Sequence, residues 1–339
     1  MTFEHSRYSK WTLGQTFSEP RQVLALSGIG RISTPVSAQR IAADPSVSDA
    51  VEIRDIEDPW LTEFLHMPEK GAFSPQQASG LAWSCDGRHL IIAVKNANGE
   101  PYLLAGWDTQ LKKYSRLLIG NLSSTSDIAC SKTGQYVAVS SWLSHDDPAL
   151  QLWQNRGNGK FQYERVLRSV KPSQDLLGIR RLAFAASEQH LIAVSQAAPS
   201  APNVLAHWDV ILLLTLPDLR IERTMEVPDE ICALSWRANQ AHLVLCGSHA
   251  RTFMLDTRTG ETLRLPFHGG LCRCHPEDDD LCAFVDCYNI AICRLSDGSV
   301  VSEQLVAQQD METLDMCWSI DGGELFAASG TGRTYVYAL

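Results

Sequence analysis

The chain has 339 residues, a formal net charge of −10 and a pI near 5.5. That balance argues against a nucleic-acid backbone as the main partner, because phosphate binding asks for a basic face. The length exceeds one ordinary core, so it implies several domains or one architecture extended by repeats.

The first ten residues, Met1 to Lys10, are charged and have no apolar run, so no signal peptide is expected. The longest aliphatic run, Val210 to Leu216, falls far short of the ~20 residues that span a bilayer. It reads as a buried strand, and no membrane insertion is expected. Ten cysteines without a compact framework suit a reducing compartment, cytoplasmic or otherwise intracellular. The sequon Asn121-Leu-Ser123 reads as a chance match in a chain without a secretion signal.

Along the chain, the segment from Tyr8 to Phe17 has strand-like composition. Strands follow near 22–27, 39–43, 50–56 and 60–66. The last stretch is also readable as a short helix, since Asp58-Pro59 is a good helix start. The clearest unit comes next: a strand at 80–84, the turn Asp86-Gly87, and strands at 89–95, 102–108 and 112–119. Gly, Asn and Asp punctuate it because they tolerate positive φ. The unit recurs at 127–131, 136–142, 149–154 and 160–167, then at 180–185, 190–196, 210–216 and 219–227. Further copies fall at 231–237, 242–247, 250–256 and 261–267, and at 271–275, 281–287, 290–295 and 299–306.

Leu26, Trp83, Cys130, Phe184, Trp236, Cys274 and Trp318 take the same place in successive copies, 38 to 57 residues apart. A four-stranded propeller blade usually takes ~40–45 residues. The expected fold is therefore all-β, a seven-bladed β-propeller of four-stranded antiparallel blades. The last copy has three strands, so residues 1–18 are expected to supply its outer strand and leave no open edge. The expected organisation is one propeller domain over 1–339: a closing strand in 1–18, a degenerate first blade in 19–79 and six blades in 80–339.

The phrases Leu81-Ala-Trp-Ser-Cys-Asp-Gly87 and Cys317-Trp-Ser-Ile-Asp-Gly322 resemble the first-strand motif of WD-repeat propellers. Gly106-Trp-Asp108 resembles the dipeptide that ends their third strand. The resemblance covers nearly the whole chain and is degenerate. No Gly-His pair precedes a blade, and other third strands end in Trp153-Gln154 or Leu255-Asp256. The resemblance implies a protein-interaction platform without chemistry of its own.

Long b–c loops locate candidate function. They are Ser141 to Pro148 and Gln196 to Asp209. His207-Trp208-Asp209 looks like a third-strand ending, yet the strand–turn–strand from Ile211 to Val227 places it in or beside the loop. Trp142, His145, Asp146, Asp147, His207, Trp208 and Asp209 would then share one face. Exposed Trp beside charge is the composition of a binding hot spot. The competing reading has both Trp rings packed down as loop anchors.

Cys272-Arg-Cys-His275, followed by Cys282, Cys287 and Cys293, invites a zinc site. No pair has the two-residue spacing of structural zinc ligands, so small buried hydrophobes are expected instead. Pro276 to Asp280 lacks the spaced acids and Gly of a calcium loop and reads as a solvated turn. No phosphate loop, nucleophile elbow or metalloprotease helix is present. No catalytic residue, metal or cofactor is expected.

The leading expectation is thus a non-enzymatic interaction scaffold with protein partners in a larger intracellular assembly. One alternative is a propeller enzyme, of hydrolase or lactonase type, using the central channel, where the sequence offers only scattered groups such as Asp127, Arg180, Arg181, Asp229, Glu230, Glu312 and Asp315. Another is a structural subunit of a large particle.

Overall fold

The computed structural model describes residues 12–13, 32–33, 40–43, 50–55, 62–66, 78–83, 89–94, 103–108, 111, 113–119, 127–140, 150–156, 161–167, 176–185, 187–197, 209–227, 229–249, 251–286, 289–305, 313–319, 322–329 and 334–338. In chain order, β1 (Thr12–Leu13) comes first. A first sheet holds β2 (Ile32–Ser33), β3 (Arg40–Ala43), β4 (Ala50–Asp55) and β5 (Thr62–His66). The second holds β6 (Ala78–Trp83), β7 (His89–Val94), β8 (Leu103–Asp108) and β9 (Lys113–Ile119). The third holds β10 (Asp127–Cys130), β11 (Tyr136–Ser140), β12 (Leu150–Asn155) and β13 (Phe161–Leu167). The fourth holds β14 (Leu176–Phe184), β15 (His190–Ala197), β16 (Asp209–Thr215) and β17 (Arg220–Val227). The fifth holds β18 (Ile231–Trp236), β19 (His242–Gly247), β20 (Arg251–Asp256) and β21 (Thr262–His268). The sixth holds β22 (Leu271–Cys274), β23 (Leu281–Asp286), β24 (Asn289–Arg294) and β25 (Val300–Leu305). The last holds β26 (Thr313–Trp318), β27 (Glu324–Ser329) and β28 (Thr334–Ala338).

From β3 onward the pairings within these sheets are antiparallel, and consecutive strands are neighbours. The last sheet takes its fourth strand from far away: Thr12 lies opposite Ala338 and Leu13 opposite Tyr337. The first sheet begins at Ile32–Ser33, while 22–27 lies outside the described residues. Within the stretch after Asp58-Pro59, Thr62–His66 is β-strand rather than helix.

Burial explains the residue choices. The middle strands β11, β15, β16 and β23 are covered on both faces and read as near-continuous apolar runs. An outer strand alternates instead. β17 exposes Arg220, Glu222, Thr224 and Glu226 and buries Met225 and Val227.

Contacts within the chain fall into two compact units, Ser33–Glu230 and Met1–Ile32 with Ile231–Leu339. In the first, Tyr136, Leu150, Leu152, Ile179, Leu191, Leu212 and Leu214 pack into one core. In the second, Leu281, Ile292, Met316, Trp318, Leu325 and Tyr337 do so. A neighbouring cluster sets Cys246, Cys272, Cys274, Cys282 and Cys293 among Phe267, Phe284 and Leu265.

The repeated Ser-x-x-Gly phrase has a local cause. In the turn between β10 and β11, Ser131 Oγ accepts the Tyr136 N–H at 3.0 Å, and Gly134 sits at φ 70°. Between β26 and β27, Ser319 Oγ accepts the Glu324 N–H at 2.9 Å, and Gly322 again takes φ 70°. The serine thus meets the first N–H of the returning strand, and glycine takes a left-handed position that a side chain resists. Glu188 and Gln240 occupy the same place at φ 55° and 59° in two other copies.

These turns also bind one sheet to the next inside each unit. The Glu188 carboxylate accepts from the Thr133 N–H and from its hydroxyl, the latter at 2.5 Å. Asp279 accepts from Arg237 at 2.9 Å and from the Asn239 side chain at 2.7 Å. His275 Nδ1 accepts the Asp278 N–H at 2.8 Å, so the ring proton lies on Nε2 and is donated to the Gly322 carbonyl at 3.1 Å.

Candidate functional site

The best-defined polar constellation lies at the strand ends opposite these turns, in the Ser33–Glu230 unit. Arg180 stands on the inner strand β14. Its Nη2 donates to both oxygens of Asp209, at 2.6 and 2.8 Å, and its Nη1 donates to Glu230. The Asp209 side chain is 1% exposed and that of Arg180 is 18% exposed. Burial alone would lower the guanidinium pKa. The charges and hydrogen bonds of Asp209 and Glu230 outweigh it and hold Arg180 above its ordinary value.

The backbone continues the network. The Asp209 N–H donates to the Asp229 carbonyl at 3.2 Å, and the Glu230 N–H donates to Asp229 Oδ1 at 2.8 Å. On the next inner strand, Asp127 takes the N–H of Ile128 on one carboxylate oxygen at 3.0 Å. It takes that of Leu182 on the other at 2.9 Å. Arg181 Nη1 donates to the Arg180 carbonyl at 3.1 Å. In the other unit, Arg273 donates to Asp315 at 2.7 Å and to the Met316 carbonyl at 2.8 Å. Charges at the strand ends are thus engaged by neighbouring protein groups. Glu312 lies outside the described residues.

Of the residues expected on a binding face, Trp142, His145, Asp146, Asp147, His207 and Trp208 lie outside the described residues. Asp209 is described, and it stands inside rather than on the face. It opens β16 opposite Gln196, and its charge is met by Arg180, which draws it into the interior. The sequence carried one signal of this. Two adjacent arginines on an apolar inner strand require a carboxylate somewhere. Nothing in the spacing says which one.

The cysteine cluster is part of the core. Cys272, Cys274, Cys282 and Cys293 are buried. Cys272 Sγ donates to the Val244 carbonyl at 3.4 Å, and Cys274 Sγ lies 3.7 Å from Cys282 Sγ. The Cys272 thiol is pushed well up, chiefly by its hydrogen bond with Cys246 and by burial. Burial comes first for Cys282, also pushed well up, and for Cys293, pushed up to about 12. Cys287 lies outside the described residues. Among the described residues, no three His, Cys, Asp or Glu side chains are grouped so as to hold a metal. In the acidic turn, Asp280 accepts from the Ser296 N–H and hydroxyl, both at 2.8 Å.

Neither family models nor curated proteins match the chain in sequence. Solved structures do match its fold. A chain of Kuenenia stuttgartiensis Hydrazine Synthase aligns at a TM-score of 0.69 and 12% identity, over 92% of this chain and 96% of that one. A chain from the crystal structure of a Mitotic Checkpoint Complex aligns at 0.73 and 11%, over 100% and 97%. The protein is an all-β chain of the propeller class. At these identities the likeness shows the fold alone.

One expectation is corrected here. The exclusion of enzymatic activity, drawn from missing linear motifs, does not stand, because a chain of a synthase shares this fold over nearly its whole length. The physical reason is general. Active groups on a propeller come from separate loops and leave no contiguous signature. As for membranes, no helix among the described residues is long and apolar enough to cross one.

Proposed function

We propose that the chain is a degenerate WD-repeat propeller that works as a protein-interaction module in a larger assembly inside the cell. The observation that carries this reading is the Arg180–Asp209 pair. It anchors the residue that directly follows His207-Trp208 and so fixes where that long segment returns to the sheet. A large aromatic beside a rigid anchor is the build of a hot spot, because little freedom is lost on binding. Trp142, His145, Asp146, Asp147, His207 and Trp208 are the proposed contact residues, with Asp209 as their support. The shared fold with a chain from a complex of proteins is in keeping with this role. The eight free cysteines among the described residues are in keeping with a reducing compartment.

The test compares the unaltered chain with a Trp142→Ala/Trp208→Ala variant in quantitative affinity capture, alongside thermal melting. The proposal expects specific partners to be lost while the melting temperature holds. Equal recovery of those partners by a folded variant overturns it. An enzyme reading is the second one, favoured by the synthase likeness. Its mark is turnover that disappears with a substitution at the strand ends, such as Glu230→Gln.

A further inference from the structure

The turn between β22 and β23 reaches in two directions. Through Asp279 it holds Arg237 and Asn239, and through His275 it holds the Gly322 carbonyl. Its two feet are cysteines. Cys274 and Cys282 are direct partners across the antiparallel pair. The adjoining pair is closed by a His275 N–H to Leu281 carbonyl bond of 2.9 Å. Hydrogen-bonded and non-bonded pairs alternate along such a ladder. Cys274 and Cys282 therefore form a non-bonded pair, in which the Cα atoms come within about 4.5 Å. That lies in the range of roughly 4.4–6.8 Å that a disulfide spans. The sulfurs already lie 3.7 Å apart, and a bond brings them to about 2.05 Å by side-chain rotation.

The neighbouring thiols are placed differently. Cys272 points its sulfur to the Val244 carbonyl. Cys293 lies opposite Cys282 on its other side, two pairs from the Leu295 N–H to Asp280 carbonyl bond. It thus falls in a hydrogen-bonded pair, where the Cα atoms stand farther apart, about 5.5 Å.

We propose that Cys274 and Cys282 form a redox couple, a dithiol in reducing surroundings and a disulfide when the chain meets a small disulfide such as oxidised glutathione. Cys274 lies at the margin of burial, 9% exposed against 0% for Cys282. Its thiolate attacks a glutathione sulfur and releases one glutathione thiolate. The Cys282 thiolate then attacks the Cys274 sulfur of the mixed disulfide and releases the second. The two cysteine protons end on the two released thiols, and two electrons pass from the cysteine pair to glutathione. Burial keeps Cys282 protonated, so exchange runs through transient opening of the turn and is slow. The crosslink then closes the turn that joins three neighbouring sheets of its unit.

The whole chain is incubated with excess oxidised glutathione, and remaining thiols are alkylated. Cleavage after Arg273 and before Asp278, Asp280 and Asp286 leaves Cys274 and Cys282 each as the single cysteine of its fragment. The expected result is a linked pair of these fragments, two hydrogens lighter than the reduced pair. Melting should rise by about 2–5 °C and return with dithiothreitol. Cys274→Ala, at the margin of burial, should abolish both changes. A link between Cys282 and Cys293 or between Cys246 and Cys272, or complete alkylation of Cys274 and Cys282 after prolonged exposure, overturns the proposal. Should the variant fail to fold, the fragment map of the unaltered chain decides alone.

Discussion

The sheet β14–β17 and the sheet β22–β25 share one topology and solve burial in opposite ways. The first takes a full ion pair inside, with the Asp209 carboxylate against Arg180 and Glu230 beside it. The second fills its interior with thiols and the ring of Phe284, which stacks 4.8 Å from Phe267 of the preceding sheet. A buried charge is tied to one partner at one angle, whereas thiols and rings tolerate exchange. The contrast separates positions that specify geometry from positions that supply volume.

The sharpest way to break this comparison is Asp209→Ala. It leaves the Arg180 charge half-satisfied in the interior and should cost about 3–5 kcal/mol in urea unfolding. The paired change Arg180→Met/Asp209→Leu should recover most of that loss, since an apolar pair of similar size needs no partner. A loss below about 1 kcal/mol for Asp209→Ala would place the pair among surface bridges. Next in size is Gly322→Ala. Its Cβ would stand 1.9 Å from His275 Nε2, and the backbone sits at φ 70°. A loss of roughly 2 kcal/mol is expected, together with faster exchange of the Asp278 amide that His275 holds.

Cys293→Ala tests the tolerant sheet and should cost only about 1 kcal/mol at neutral pH. It should also change the alkaline limb. The folded thiol titrates at about 12 against an ordinary value of 9.0, so the unfolded chain loses its proton first. The contribution is whole below pH 9 and falls as pH rises toward 12. The variant should therefore lose stability less steeply over that window, read as unfolding midpoints at a series of pH values. The smallest effect is Glu222→Gln. Its bond to His190 joins side chains 50% and 31% exposed. The unfolding midpoint should move by an amount equal to about 0.5 kcal/mol or less.

From β6 onward, strand positions were legible because middle strands are apolar runs and turns carry Gly, Asn or Asp. β14 is the instructive exception. The sequence reads a start near 180, whereas the strand begins at Leu176. Gly178, at φ 126°, looks like a stop in one dimension. In the sheet it marks a register shift between Leu176 and Ile179, where the ladder bends and goes on. Asp209 misleads for a different reason. A charged residue after Trp208 reads as loop, and its partner lies 29 positions earlier on another strand. Hydrophobic periodicity is a local signal; charge neutralisation in a folded interior is not. The binding face proposed around Trp142 and Trp208 is legible only as composition and order.

The pairing of Thr12–Leu13 with Thr334–Ala338 has a consequence for synthesis. Among the described strands, a ribosome makes β1 before the others and β28 after them. The other sheets draw their strands from consecutive sequence and can close as they emerge, whereas β1 must wait until Thr334–Ala338 has been made. During that interval the exit tunnel releases sheet after sheet while the earliest strand lacks its mate. Translation speed over the codons for β28, rather than over those for β1, should set when that sheet is finished.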